Sequence, residues 1–168
     1  GDDSDPGVDA GGTDASMEDA LAVDTGTDAG TECGVGEVPL GRGEHAALYD
    51  PTRNRIVVHG GNTTAPVMCS PRFTATDEVW MYDVPCETWA QVPQDGSGPG
   101  VRVRSGFVYG RAGDRGRLFG GRFRAGDSGA YTNFDDVWSL DLATMAWTQL
   151  ATTGVGPSAR NNAGVAID

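Results

Sequence analysis

The sequence predicts an all-β protein assembled from repeated four-stranded antiparallel units, and three observations carry that reading. The stretch "DEVWMYDVPCETW" (77–89) returns as "DDVWSLDLATMAW" (135–147), so all four tryptophans fall in two copies of one pattern. Gly60-Gly61 returns in the same way as Gly120-Gly121. Short runs rich in β-branched and aromatic residues alternate with Gly, Pro and Asp, the texture of strands and tight turns. A period of about 60 residues with four strands per copy indicates a propeller or another repeat array.

The elements follow in order. "HAALYD" (45–50), "RIVVHGG" (55–61), "EVWMYDV" (78–84) and "TWAQV" (88–92) read as the four strands of a first unit, with turns at "PTRN" (51–54) and "PCE" (85–87). "SGFVYG" (105–110), "RLFGG" (117–121), "DVWSLDL" (136–142) and "AWTQL" (146–150) read as a second, and "RNNAGVAID" (160–168) as the first strand of a third. The units span about 42–92, 104–150 and 160–168. Arg42 opens the first and Arg160 the third; Arg104 and Arg102 compete to open the second. Apolar residues at both parities, as in "VWMY" (79–82) and "FVY" (107–109), suit strands covered on both faces by neighbouring units.

Charge divides the chain. Residues 1–37 hold eleven of the 24 acidic residues and none of the twelve arginines. They form a low-complexity segment with too little apolar surface to offset the entropy of ordering, so a disordered acidic spacer is expected, and 38–168 is the folded part. Calcium ligation by its aspartates is the competing reading, but the alternating EF-hand loop is absent. The net charge of −12 belongs to this spacer and disfavours nucleic acid as a partner. No apolar run is long enough to cross a bilayer. The chain begins with Gly, which is read as a removed leader or a fragment of a longer protein.

Taken together, the glycine doublets, Asp83 with Trp89, Asp141 with Trp147, and the arginine before a small-residue-rich first strand resemble a kelch repeat. The resemblance runs from about residue 40 to the end. It implies a partial kelch-type β-propeller of two blades plus the first strand of a third, the remaining blades being supplied by further chain. Gly60, Gly61, Gly120, Gly121, Trp80, Trp89, Trp138, Trp147, Asp83 and Asp141 are the residues expected to build the blades. The acidic segment resembles spacers of bacterial lipoproteins, which implies an exported, cell-surface protein with any lipid anchor outside this chain.

Strand direction places Arg42, His45, Arg72, Arg104, Arg122, Arg124 and Arg160 at one end, as candidates for binding a protein or glycan ligand. Guanidinium groups hold carboxylates through two parallel hydrogen bonds, and related kelch domains bind acidic peptides on the corresponding loops. Alternatively, each leading arginine ties its own blade to the next through backbone carbonyls. No cofactor or metal is expected, since three cysteines and two histidines match no zinc spacing. Kelch-type copper oxidases and mutarotases make an enzyme with catalytic residues in further blades the second reading, and a ligand-free surface repeat the third. His59 stands where Phe119 stands in the next unit, so packing is its expected role. "NTT" (62–64) formally matches a glycosylation acceptor. If the cysteines pair, loop topology favours Cys33 with Cys69.

Overall fold

The computed structural model describes residues 33–64 and 72–167. Residues 1–32, most of the expected spacer, lie outside that range, as does Cys69. Strands β1 (Ala46–Asp50), β2 (Arg55–His59), β3 (Val79–Asp83) and β4 (Thr88–Val92) form one antiparallel sheet in the order β1-β2-β3-β4. Then come β5 (Gly106–Gly110), β6 (Arg115–Phe119), a two-stranded hairpin of β7 (Arg122–Phe123) and β8 (Thr132–Asn133), β9 (Val137–Asp141) and β10 (Trp147–Leu150). The second four-stranded sheet is ordered β5-β6-β9-β10. No described residue is helical.

Polar side chains close the turns. Asp50 Oδ1 accepts from the backbone nitrogens of Thr52 and Arg53 at 3.1 and 3.3 Å. Asp83 Oδ1 accepts from Cys86 N, and Asp141 Oδ1 from Ala143 N and Thr144 N, each at 2.9 Å. This is how an aspartate mimics a backbone turn, and it explains why the third strand of each unit ends in Asp. Left-handed residues recur at matching turn positions: Asn54 and Asp114, then Glu87 and Met145.

The register sorts each blade into two faces. On the first blade, Ala46, Leu48, Val57, Val79 and Val92 share a face and meet Phe107, Leu118, Leu140 and Trp147 of the second, forming one core with Leu142. Trp147 is wedged between the blades, 5.4 Å from the His59 ring and 5.8 Å from Phe107. Trp80 and Trp89 occupy the opposite face of the first blade, with Val58 and Tyr82. The facing apolar surfaces of the two blades are thereby removed from water, at ~25 cal/mol per Å².

The competing alignments of the second unit are resolved. Arg42 Nη1 donates to Gly60 O at 3.2 Å and its Nη2 to Glu78 Oε2 at 2.6 Å, while Trp80 Nε1 donates to the same oxygen at 2.9 Å. Arg102 repeats this: Nη1 to Gly120 O at 3.0 Å and to Asp136 Oδ1 at 2.7 Å, with Trp138 Nε1 on Asp136 Oδ2 at 2.7 Å. Arg102 Nη2 also reaches Pro99 O. The leading series is therefore Arg42, Arg102 and Arg160, not one through Arg104. It also accounts for the second acid of each repeated motif, which joins the leading arginine to the tryptophan two residues later. Each next unit begins against the glycines of the one before, Gly61 N donating to Arg102 O and Gly121 N to Arg160 O. A Cβ on Gly60, at φ +68°, would stand 2.5 Å from Arg102 O, so only glycine permits the approach.

Three expectations are corrected. Residues 160–167 form no strand: they lie beside β5, Val165 against Gly106 and Ile167 near Gly110, but no described strand flanks them to complete a ladder. The run at 117–121 becomes β6 at Arg115–Phe119, because both glycines take positive φ and leave the sheet. Finally, Cys33 is bonded to Cys86, not Cys69. The chain does not enter from the glycine end. Residues 33–41 run along β4 from the β3–β4 turn, with Glu37 N donating to Trp89 O at 3.0 Å, which brings Cys33 to Cys86.

Candidate ligand-binding site

The ends of β1, β2, β5 and β6 that carry the glycine doublets gather most of the predicted arginines. Three residues at equivalent positions enter the first-strand place of successive units: Glu44, Arg104 and Asn162. All are left-handed, at φ 60°, 59° and 54°. Backbone bonds run between them, Arg104 N to Glu44 O at 2.8 Å and Asn162 N to Arg104 O at 3.0 Å. Each non-glycine left-handed residue costs about 1–3 kcal/mol, so these contacts define where the three side chains leave the backbone.

Arg104 donates from Nε to Glu44 Oε1 at 2.6 Å and from Nη2 to the same oxygen. Arg122, at the start of β7, reaches that oxygen from 3.8 Å. Its guanidinium lies over the Tyr131 ring, 3.9 Å from the centroid. Arg124 lies between two rings, 4.9 Å from Tyr131 and 5.2 Å from Phe73. Phe73 is buried, packs edge-on to Tyr131 at 6.1 Å, and its backbone nitrogen donates to Asp127 Oδ1 at 2.6 Å. The loops of the two blades thus share one cluster in which arginines alternate with aromatic rings. Such stacking orients guanidinium planes while leaving N–H edges for a ligand.

The other candidates are placed differently. Arg42 is committed to Gly60 and Glu78, with its side chain 6% exposed. Arg160 bonds Ser158 through Nε and Nη2 and is exposed. Arg72 is exposed next to Phe73. His45 lines a groove of about 320 Å³ with Arg42, Val38, Leu40, Val58, Trp80 and Trp89, away from the Arg104 cluster. His59 is buried, and burial first, then the charge of Arg102, push its pKa down to about 3, so it is neutral near pH 7. Asn62 is buried too, and its Oδ1 accepts from Thr64 N, Thr64 Oγ1 and Thr74 N, so the "NTT" motif is a loop staple.

Glu44, Phe73, Asp127, Tyr131 and Phe123, whose ring lies 6.3 Å from that of Phe73, belong to the site but were not singled out from the sequence. Glu44 could have been found, since it lies two residues after Arg42 as Arg104 lies two after Arg102. The aromatic rings could not, because their meeting depends on two loops from different blades.

Carboxylates elsewhere are held by the scaffold. For Glu78, burial is the largest influence and pushes upward, but hydrogen bonds from Trp80 and Arg42 outweigh it and keep the pKa low. For Asp136 the same balance holds, with Arg102 ahead of Trp138. Among the described residues no group of three or more His, Cys, Asp and Glu could hold a metal ion.

A chain of four-stranded antiparallel blades, tied by arginine–carboxylate–tryptophan triads and presenting loops at one end, is a segment of a β-propeller. A family model described as the KLHDC2/KLHL20/DRC7 Kelch-repeats domain matches residues 8–168. The chain belongs to the kelch-repeat family, whose propellers serve protein interaction.

Proposed function

We propose that this kelch module binds an acidic segment of a protein partner through the glycine-end cluster of Arg104, Arg122 and Arg124. The observation that carries the reading is the stacking of Arg122 and Arg124 on Tyr131 and Phe73. It presents ready-oriented forked donors from loops on a rigid sheet scaffold. Preorganisation of this kind lowers the entropic cost of seating a carboxylate.

The test is fluorescence anisotropy with a labelled hexaglutamate peptide. Wild-type protein binds it with an affinity that falls with salt, and Arg104→Ala with Arg122→Ala weakens binding at least about ten-fold while the protein stays folded by circular dichroism. Equal binding by the double variant refutes the reading. Preference for a hyaluronate oligosaccharide over the peptide would transfer it to an acidic glycan.

The protein is proposed to act outside the cytosol, held off a surface by its acidic N-terminal segment. The Cys33–Cys86 bond supports this, since structural disulfides persist in oxidising compartments. Thiol labelling of unreduced protein from its native source that modified both Cys33 and Cys86 would reject export.

A further inference from the structure

We infer that Glu44 is a built-in carboxylate occupying the anion seat of Arg104 and Arg122, which an incoming ligand must displace. The inference rests on the proposed binding of acidic segments at this site. Two arginines converge on one oxygen, Glu44 Oε1, Arg104 through two nitrogens and Arg122 from 3.8 Å. That is the arrangement in which a ligand carboxylate would be gripped. The triads that hold each blade together recur from unit to unit: Arg42–Glu78–Trp80 and Arg102–Asp136–Trp138. The Glu44 pair does not recur, because the equivalent positions carry Arg104 and Asn162, which take the same left-handed backbone without an acid. Folding of this position therefore does not require a carboxylate.

Exposure fits an exchangeable pair. The side chains of Glu44, Arg104 and Arg122 are 25%, 32% and 17% exposed, against 3% for the scaffold arginine Arg102. Partly solvated pairs are weakly held, so a ligand carboxylate competes with Glu44 on similar terms. In the absence of ligand, Glu44 keeps the two guanidinium groups aligned and their charges partly neutralised. It acts as a selectivity filter: neutral or singly weak ligands do not repay its displacement, whereas a segment with several carboxylates does.

The experiment uses inorganic sulfate as the probe of the seat and hexaglutamate as the probe of the partner. Sulfate binding is read from the Nε–H signals of Arg104 and Arg122 by NMR in wild-type protein, Glu44→Gln, and Glu44→Gln with Arg104→Ala. Gln keeps the size and the backbone acceptor, so Glu44→Gln binds sulfate about ten-fold more tightly, and the gain vanishes when Arg104 is removed. No gain, or a gain that survives loss of Arg104, overturns the inference. If Glu44→Gln lowers the melting temperature by more than a few degrees, Glu44→Asp takes its place, and again a gain in sulfate affinity is required. Should sulfate show the gain while hexaglutamate binds neither protein, Glu44 is the plug of the seat and the acidic-peptide reading alone fails.

Discussion

Replacing Asp136 by Asn tests the reading that each blade is held by an arginine–carboxylate–tryptophan triad. Arg102 is 3% exposed, and its charge is met by both oxygens of Asp136 and by the carbonyls of Pro99 and Gly120. Asn preserves the shape and an acceptor for Trp138 but leaves the guanidinium uncompensated inside the protein. Breaking a buried pair in this way costs roughly 3–5 kcal/mol, and the 17% exposure of Asp136 places the estimate at the low end, about 3 kcal/mol. For a unit of this size that is a fall of about 10 °C in melting temperature. Glu78→Gln in the first blade provides the control, because Glu78 is 33% exposed and the same chemistry is worth about 1 kcal/mol there. The assay is reversible thermal unfolding by calorimetry, with tryptophan emission following the same transition. A Glu78→Gln loss equal to or greater than that of Asp136→Asn refutes the argument, since burial would not be what sets the cost.

Three further outcomes follow from the same structure. His59 has its pKa depressed to about 3, so the unfolded chain takes up a proton between about pH 6.5 and 3 that the folded one refuses. Stability from this group is present above that window and is lost as pH falls through it. His59→Phe, the residue used at Phe119, flattens the acid limb of a urea-denaturation series, and an unchanged limb contradicts the assignment. Reducing Cys33–Cys86, whose cysteines are separated by 53 positions in sequence, destabilises the protein by up to roughly 4 kcal/mol. Cys86→Ser in non-reducing buffer should match reduced wild type in the same melt, and any difference would point to another pairing. Gly60→Ala must relieve both a left-handed φ and a 2.5 Å approach to Arg102 O, at about 3 kcal/mol. Its denaturation midpoint should drop accordingly, whereas Gly96→Ala, which has a positive φ but open space around it, should lose less.

The strands and their grouping were legible in the sequence because they depend on local chemistry. β-branched and aromatic runs, aspartates that close turns and glycines that permit positive φ each act within a few residues, and the repeat displayed them twice. The blade faces followed for the same reason, since side chains alternate along any strand. What the local code left open was everything settled between segments. Arg102 and Arg104 are two residues apart on one strand approach, and only the carbonyls of Gly120 and Pro99 and the carboxylate of Asp136 select between them. Cys33 meets Cys86 because the leading segment climbs the outer strand, a path no spacing encodes. Glu44 and Arg122 converge because two blades pack side by side, and Phe73 and Tyr131 because two long loops fold onto each other. Composition and periodicity determine which residues form sheet; the angle and register at which sheets stack determine which charges and rings share a site.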